Sequence, residues 1–121
     1  MSKRAPRNRM SDSELQHTFQ VLDDRFFDGY LQRGRTQVTF GSNKTCESGL
    51  GCTDQNDNKI YINIEVRKIR RVIVLILLHE MVHAKLFLEG YVGYEKDGGH
   101  EMLFHAGIDR LYRQGAFEGL L

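Results

Sequence analysis

Cysteine is scarce in this chain: of 121 residues only Cys46 and Cys52 carry a thiol. Two are too few for a disulfide scaffold or a four-cysteine zinc ribbon, and the expectation is two reduced thiols in an intracellular protein. An excess of one charge is also lacking. Lys and Arg number 17 against 16 Asp and Glu, a net charge of +1, so no global field draws the molecule to nucleic acid or membrane and any basic patch must be local. Long apolar runs are missing as well. The longest, Val72 to Leu78, falls far short of the ~20 residues of a membrane span. The basic N-terminus has no apolar stretch behind it of the kind a secretory signal needs. These absences exclude a membrane partner and point inside the cell: cytoplasm for a prokaryotic or viral protein, nucleus for a eukaryotic one. Proline occurs once, at Pro6, in a charged, aperiodic segment. Residues 1–10 read as a disordered basic arm, with residues 11–121 as a single domain.

Order begins at Ser11. Ser11-Asp12-Ser13-Glu14 has the form of a capping box, in which a serine hydroxyl and a glutamate reciprocally satisfy backbone N–H groups. Behind it Leu15, Phe19, Leu22 and Phe26 recur at helical spacing up to a stop at Gly29. Gln37 to Phe40 and Lys59 to Ile64 alternate polar and apolar residues as strands do. Cys46 to Thr53 supplies a third strand, bent at its glycines, and turns are expected near Gly41 to Asn43 and Asp54 to Asn58. The reading is an α+β fold with about three main helices and a small antiparallel sheet of about three strands.

The chemistry gathers at His79-Glu80-Met81-Val82-His83. The β-branched run before it reads in isolation as a buried strand. On a strand, however, the two histidines would stand about 13 Å apart. On a helix they are rotated by only about 40° and lie one turn apart, so both rings can reach one divalent metal with Glu80 beside them. Within the block Glu65 to about Glu89, a central buried helix ending near Gly90 follows. His-Glu-x-x-His on a helix is the arrangement of a zinc hydrolase: two neutral imidazole ligands and a carboxylate to take a proton from water. A catalytic zinc takes three protein ligands. His100, after the loop Gly90 to Gly99 and at the start of a last helix, is favoured as the third. His105 is the competitor. The two lie about 140° apart around a helix and do not readily share one metal. No histidine stands at the metzincin position after His83.

Four segments together resemble the SprT-like (Spartan-type) zinc metalloprotease domain over roughly Leu15 to Leu111. They are Phe26-Phe27-Asp28-Gly29-Tyr30-Leu31, the strand pair with its small-residue hairpin, Leu77-Leu78-His79-Glu80-Met81-Val82-His83-Ala84, and Gly99-His100 followed by Phe104. The resemblance implies a zincin-like fold, one Zn2+ held by His79, His83 and His100, Glu80 as general base, and cleavage of DNA-bound or DNA-crosslinked protein substrates. Glu101 departs from the family, which has a glycine after the third histidine. The basic cluster Arg67, Lys68, Arg70 and Arg71 is the candidate DNA contact, with a solvated helix end as the other reading of the same residues. A zinc-stabilised DNA- or protein-binding module that does not cleave is the alternative function. Oligomeric state leaves no mark in the sequence.

Overall fold

The computed structural model describes residues 9–47, 49–91 and 99–120, with the side chains of residues 99–101 outside the description. Its elements run α1 (Asp12–Phe26), α2 (Tyr30–Arg33), β1 (Gln37–Gly41), β2 (Gly51–Asp54), β3 (Lys59–Asn63), a 3-10 turn (Ile64–Val66), α3 (Arg70–Leu88) and α4 (Gly99–Arg113). Three main helices and a three-stranded sheet make an α+β fold. No described helix is long and apolar enough to cross a membrane.

The first helix starts where the capping box places it. The Glu14 amide donates to the Ser11 hydroxyl at 3.1 Å and the Ser11 amide to the Glu14 carboxylate at 3.0 Å, which satisfies two otherwise orphaned donors. Leu15, Phe19 and Phe26 form its buried stripe. Asp23 is buried with them. Its carboxylate accepts from the Leu31 amide at 3.1 Å and the Gln32 amide at 2.9 Å, so it caps α2 as that short helix leaves the turn at Gly29. Residues 1–8 of the expected arm lie outside the described residues. Met10, by contrast, is buried. Its amide donates to the Arg67 carbonyl at 3.0 Å and its carbonyl accepts from Arg67 Nε at 2.7 Å.

The sheet order is β1-β3-β2. β2 pairs antiparallel with β3, but β1 pairs parallel with it, Val38 facing Ile60 and Phe40 facing Ile62. The sheet is therefore mixed where a wholly antiparallel one was expected. The cause is the route of the chain. From β1 it crosses the C-terminal end of β3, returns along β2 on the far edge, and turns at 54–58 into the central strand. Two reversals leave β3 running with β1. The intervening residues 42–58 supply the dozen or more positions that a parallel pair requires.

Buried Asn63 secures that crossing. Its side-chain amide donates to Asn43 Oδ1 at 2.6 Å and to the Gly49 carbonyl at 2.9 Å, and its backbone amide to the Leu50 carbonyl at 2.9 Å. Its Oδ1 also accepts from the Glu65 amide and begins the 3-10 turn. A second tie corrects the reading of the cysteines: Cys46 and Cys52 are joined in a disulfide, their Cα atoms 5.5 Å apart. That separation lies within the range a bridge spans. A count of two thiols does not reveal it, because the crossing itself folds Cys46 back over the start of β2.

The run Val72 to Leu78 is helical. Ile73, Leu77, Leu78 and Met81 have no solvent exposure, as expected for a helix packed on several sides: β3 and β2 on one, α1, α2 and α4 on others. Helix α3 ends at Leu88, and Gly90 takes a positive φ of 93°. The loop expected next falls on residues 92–98, outside the described residues. Beyond α4, Ala116 is buried and Phe117 and Leu120 pack on the core, a contribution the aperiodic C-terminal segment does not announce.

Candidate metal centre and active site

Histidines four apart on α3 meet as helical spacing requires. The Nε2 atoms of His79 and His83 lie 3.3 Å apart. Two nitrogens bound to one tetrahedral ion at ~2.05 Å are separated by about 3.3 Å. The pair thus has the spacing of two ligands of a single zinc, and imidazole nitrogen suits that metal. His83 is buried while the side chain of His79 is 49% exposed, so the pair opens to solvent on one side.

Both rings are held by α4. The Phe104 ring centroid lies 4.5 Å from that of His79 and 4.6 Å from that of His83, nearly parallel to the latter at 23°. Buried Phe104 therefore limits the rotation of both imidazoles. Gly107, one turn later, lets the helices approach: a Cβ there would stand 2.7 Å from Val82 Cγ1. The sequence marks Phe104 only as an apolar position and as part of the family resemblance. Its role as a wall of the histidine pair needs the packing of two helices.

The carboxylate between the histidines is placed from the sheet. The Glu80 side chain is only 8% exposed. Thr53 in β2 sends its hydroxyl toward Glu80, 2.9 Å from Oε1 and 3.1 Å from the backbone carbonyl. The other oxygen, Oε2, lies 3.8 Å from His79 Nε2. Strand β2 comes this close because residue 51 is glycine. A Cβ there would meet Ile76 Cγ2 at 2.6 Å and Glu80 Cγ at 3.4 Å. Thr53 and Gly51 are thus site residues that sequence reasoning missed. Neither stands in a motif, and Thr53 lies 27 residues before Glu80 in the chain.

His100 lies in the first turn of α4, four residues before Phe104. Its side chain and that of Glu101 are outside the described residues. Among the described residues no three His, Cys, Asp or Glu side chains gather at metal-ligand distance. The competitor His105 is exposed, and its ring meets Phe104 edge-on at 6.0 Å between centroids. The structure does not bring it to the pair.

The basic cluster separates into two kinds of residue. Arg67 is turned inward, bonded to Met10 and lying over the Phe40 ring at 5.0 Å. Arg70 pairs with Glu14 at 2.7 Å. Lys68 and Arg71 are exposed. The guanidinium of Arg70, followed by the Ser11 amide, holds the Glu14 carboxyl at about 2, below its ordinary 4.5.

A cleft of about 380 Å³ lies beside the carboxylate, lined by Leu50, Gly51, Leu75, Ile76, His79 and Glu80. A buried acid, two converging imidazoles and an open cleft suit metal-assisted hydrolysis.

No curated protein and no solved structure matches the chain. The SprT-like family profile matches residues 15–118, a stretch that takes in α3 with His79, Glu80 and His83 and all of α4. The chain belongs to the SprT-like family and is a metalloprotease-related domain.

Proposed function

We propose that this domain is a zinc-dependent endopeptidase whose protein substrates are DNA-bound or DNA-crosslinked. The observation that carries the reading is the 3.3 Å approach of the two Nε2 atoms next to a shielded carboxylate at the edge of an open cleft. His79 and His83 would hold the metal, with His100 at the start of α4 as the third ligand. Zinc at such a site supplies Lewis acidity toward a peptide carbonyl and acidifies water.

The chain's own residues do the rest. Thr53 engages Glu80 Oε1, so Oε2, the oxygen nearer His79, is the one that takes the proton from the attacking water. The same oxygen then returns it to the leaving amine, as general acid–base catalysis of peptide hydrolysis requires. Phe104 keeps both imidazoles in their ligating orientation. Lys68 and Arg71, exposed near the start of α3, are the residues of the basic cluster best able to reach phosphate, which supports a DNA-associated substrate.

The test measures metal content and cleavage together. The purified protein should carry one zinc, lost in His79→Ala, His83→Ala and His100→Ala and kept in His105→Ala. Glu80→Gln should keep zinc and lose cleavage of a DNA-bound protein. Turnover retained in Glu80→Gln would overturn the mechanism. A zinc-loaded wild type that cleaves nothing, with or without DNA, would make the domain a metal-stabilised binding module. For the DNA contact, charge reversal of Lys68 and Arg71 should weaken a salt-dependent affinity. An affinity unaffected by salt or by the reversal would remove it.

A further inference from the structure

Leu50 is an anomaly. It is a large apolar side chain, 56% exposed, yet its backbone is among the most firmly tied in the crossing loop. Its carbonyl accepts from the Asn63 amide, the preceding carbonyl accepts from the Asn63 side chain, and the Cys46–Cys52 bridge encloses both residues. A fixed, exposed leucine is what a preformed apolar contact requires. Leu50 forms one wall of the cleft that His79 and Glu80 also line. Leu75 and Ile76 form another, and Gly51 leaves the space between them without a side chain. Among the described residues the only charged or titratable groups lining it are His79 and Glu80, at the end where the chemistry of the site is placed.

We propose that this cleft is a specificity subsite for an aliphatic or aromatic side chain of a protein substrate, adjoining the peptide bond to be cut. The assignment rests on the peptidase reading and deepens it. The walls are apolar and a volume of about 380 Å³ exceeds that of any single side chain, so leucine, methionine and phenylalanine enter and leave their apolar surface against Leu50, Leu75 and Ile76. Aspartate or lysine would lose hydration there and find no partner for its charge on the apolar walls. One methylene more or less in an apolar pocket changes kcat/KM by about 10–200-fold; leucine carries three carbons more than alanine, so a preference of at least about tenfold is expected for leucine over alanine.

Two measurements on the zinc-loaded full chain test this. In the first, a peptide library is digested and the residues on either side of each cut bond are read by mass spectrometry. In the second, anisotropy follows binding of fluorescent peptides, identical except for one Leu, Phe, Ala, Asp or Lys, to the Glu80→Gln variant. Leucine and phenylalanine should be favoured over aspartate by at least about tenfold in either readout. Leu50→Asp, a change at an exposed position that should leave the fold intact by circular dichroism, should erase that preference or turn it toward lysine. If nothing is cleaved but Glu80→Gln still prefers the leucine peptide and Leu50→Asp abolishes the preference, the subsite stands and the peptidase reading falls. Cleavage indifferent to the neighbouring residue, or a preference that Leu50→Asp leaves unchanged, overturns the subsite while the peptidase reading survives. Absence of both cleavage and binding overturns the subsite as well.

Discussion

Thr53→Val is the substitution that most directly probes how the sheet serves the helix. Valine has the shape of threonine without the hydroxyl, so the packing of β2 on α3 is preserved and the donor 2.9 Å from Glu80 Oε1 is removed. A hydrogen bond to a charged group is worth about 1.5–3 kcal/mol. The Glu80 side chain is 8% exposed, so water replaces that donor poorly and the upper part of the range applies. Part of the loss should appear as stability. The remainder should appear as a carboxylate no longer oriented for proton transfer. If about 1.4–2.7 kcal/mol of the effect falls on the transition state, kcat drops roughly 10- to 100-fold. KM should change little, because Thr53 does not line the cleft beside Glu80. Thr53→Ser keeps the hydroxyl and should recover most of the rate. The assay is steady-state cleavage of a protein substrate by zinc-loaded wild type, Thr53→Val and Thr53→Ser, with zinc content and a thermal melt for each. Wild-type kcat in Thr53→Val, or a Thr53→Ser variant as impaired as Thr53→Val, would refute the positioning role.

Three further outcomes follow from the same structure. Asn63→Ala removes three side-chain hydrogen bonds at a buried position. At about 1 kcal/mol each it should destabilise the domain by ~3 kcal/mol in urea unfolding, and an unchanged midpoint would show that the crossing loop does not depend on it. Reduction of Cys46–Cys52 opens a short loop, and chain entropy alone predicts a loss of ~2 kcal/mol; equal melting temperatures with and without a thiol reductant would contradict this. Glu14 should titrate at about 2 in the folded protein. Its folded value is depressed, so the Glu14–Arg70 contribution is present above the ordinary value of 4.5 and is lost as pH falls from there through about 2. Carboxyl-carbon NMR reads the midpoint, and Arg70→Met should raise it; a midpoint that does not move would assign the depression to the Ser11 cap instead.

Some features are legible in the residues because their causes are local. The capping box at Ser11 and Glu14 satisfies groups three residues apart. The stripe Leu15, Phe19 and Phe26 follows from helical period. Even the ambiguous run before His79 is decided locally, since only a helix brings two histidines four apart within reach of one ion. Local rules cannot see Asp23, whose place between apolar positions of α1 conceals a buried cap for α2. Nor can they find Thr53, because β2 reaches Glu80 only after the sheet has packed on α3.

The sequence by itself determined the three long helices, the central strand and the spacing of His79, Glu80 and His83, through backbone hydrogen bonding and side-chain period over a few residues. Tertiary structure decided the parallel pairing of β1 with β3, the Cys46–Cys52 bridge, the Phe104 wall and the exposed Leu50 rim. Each of these depends on where a chain that has crossed its own sheet comes to lie. That is set by the closing of a whole core, with no counterpart in the order of neighbouring residues.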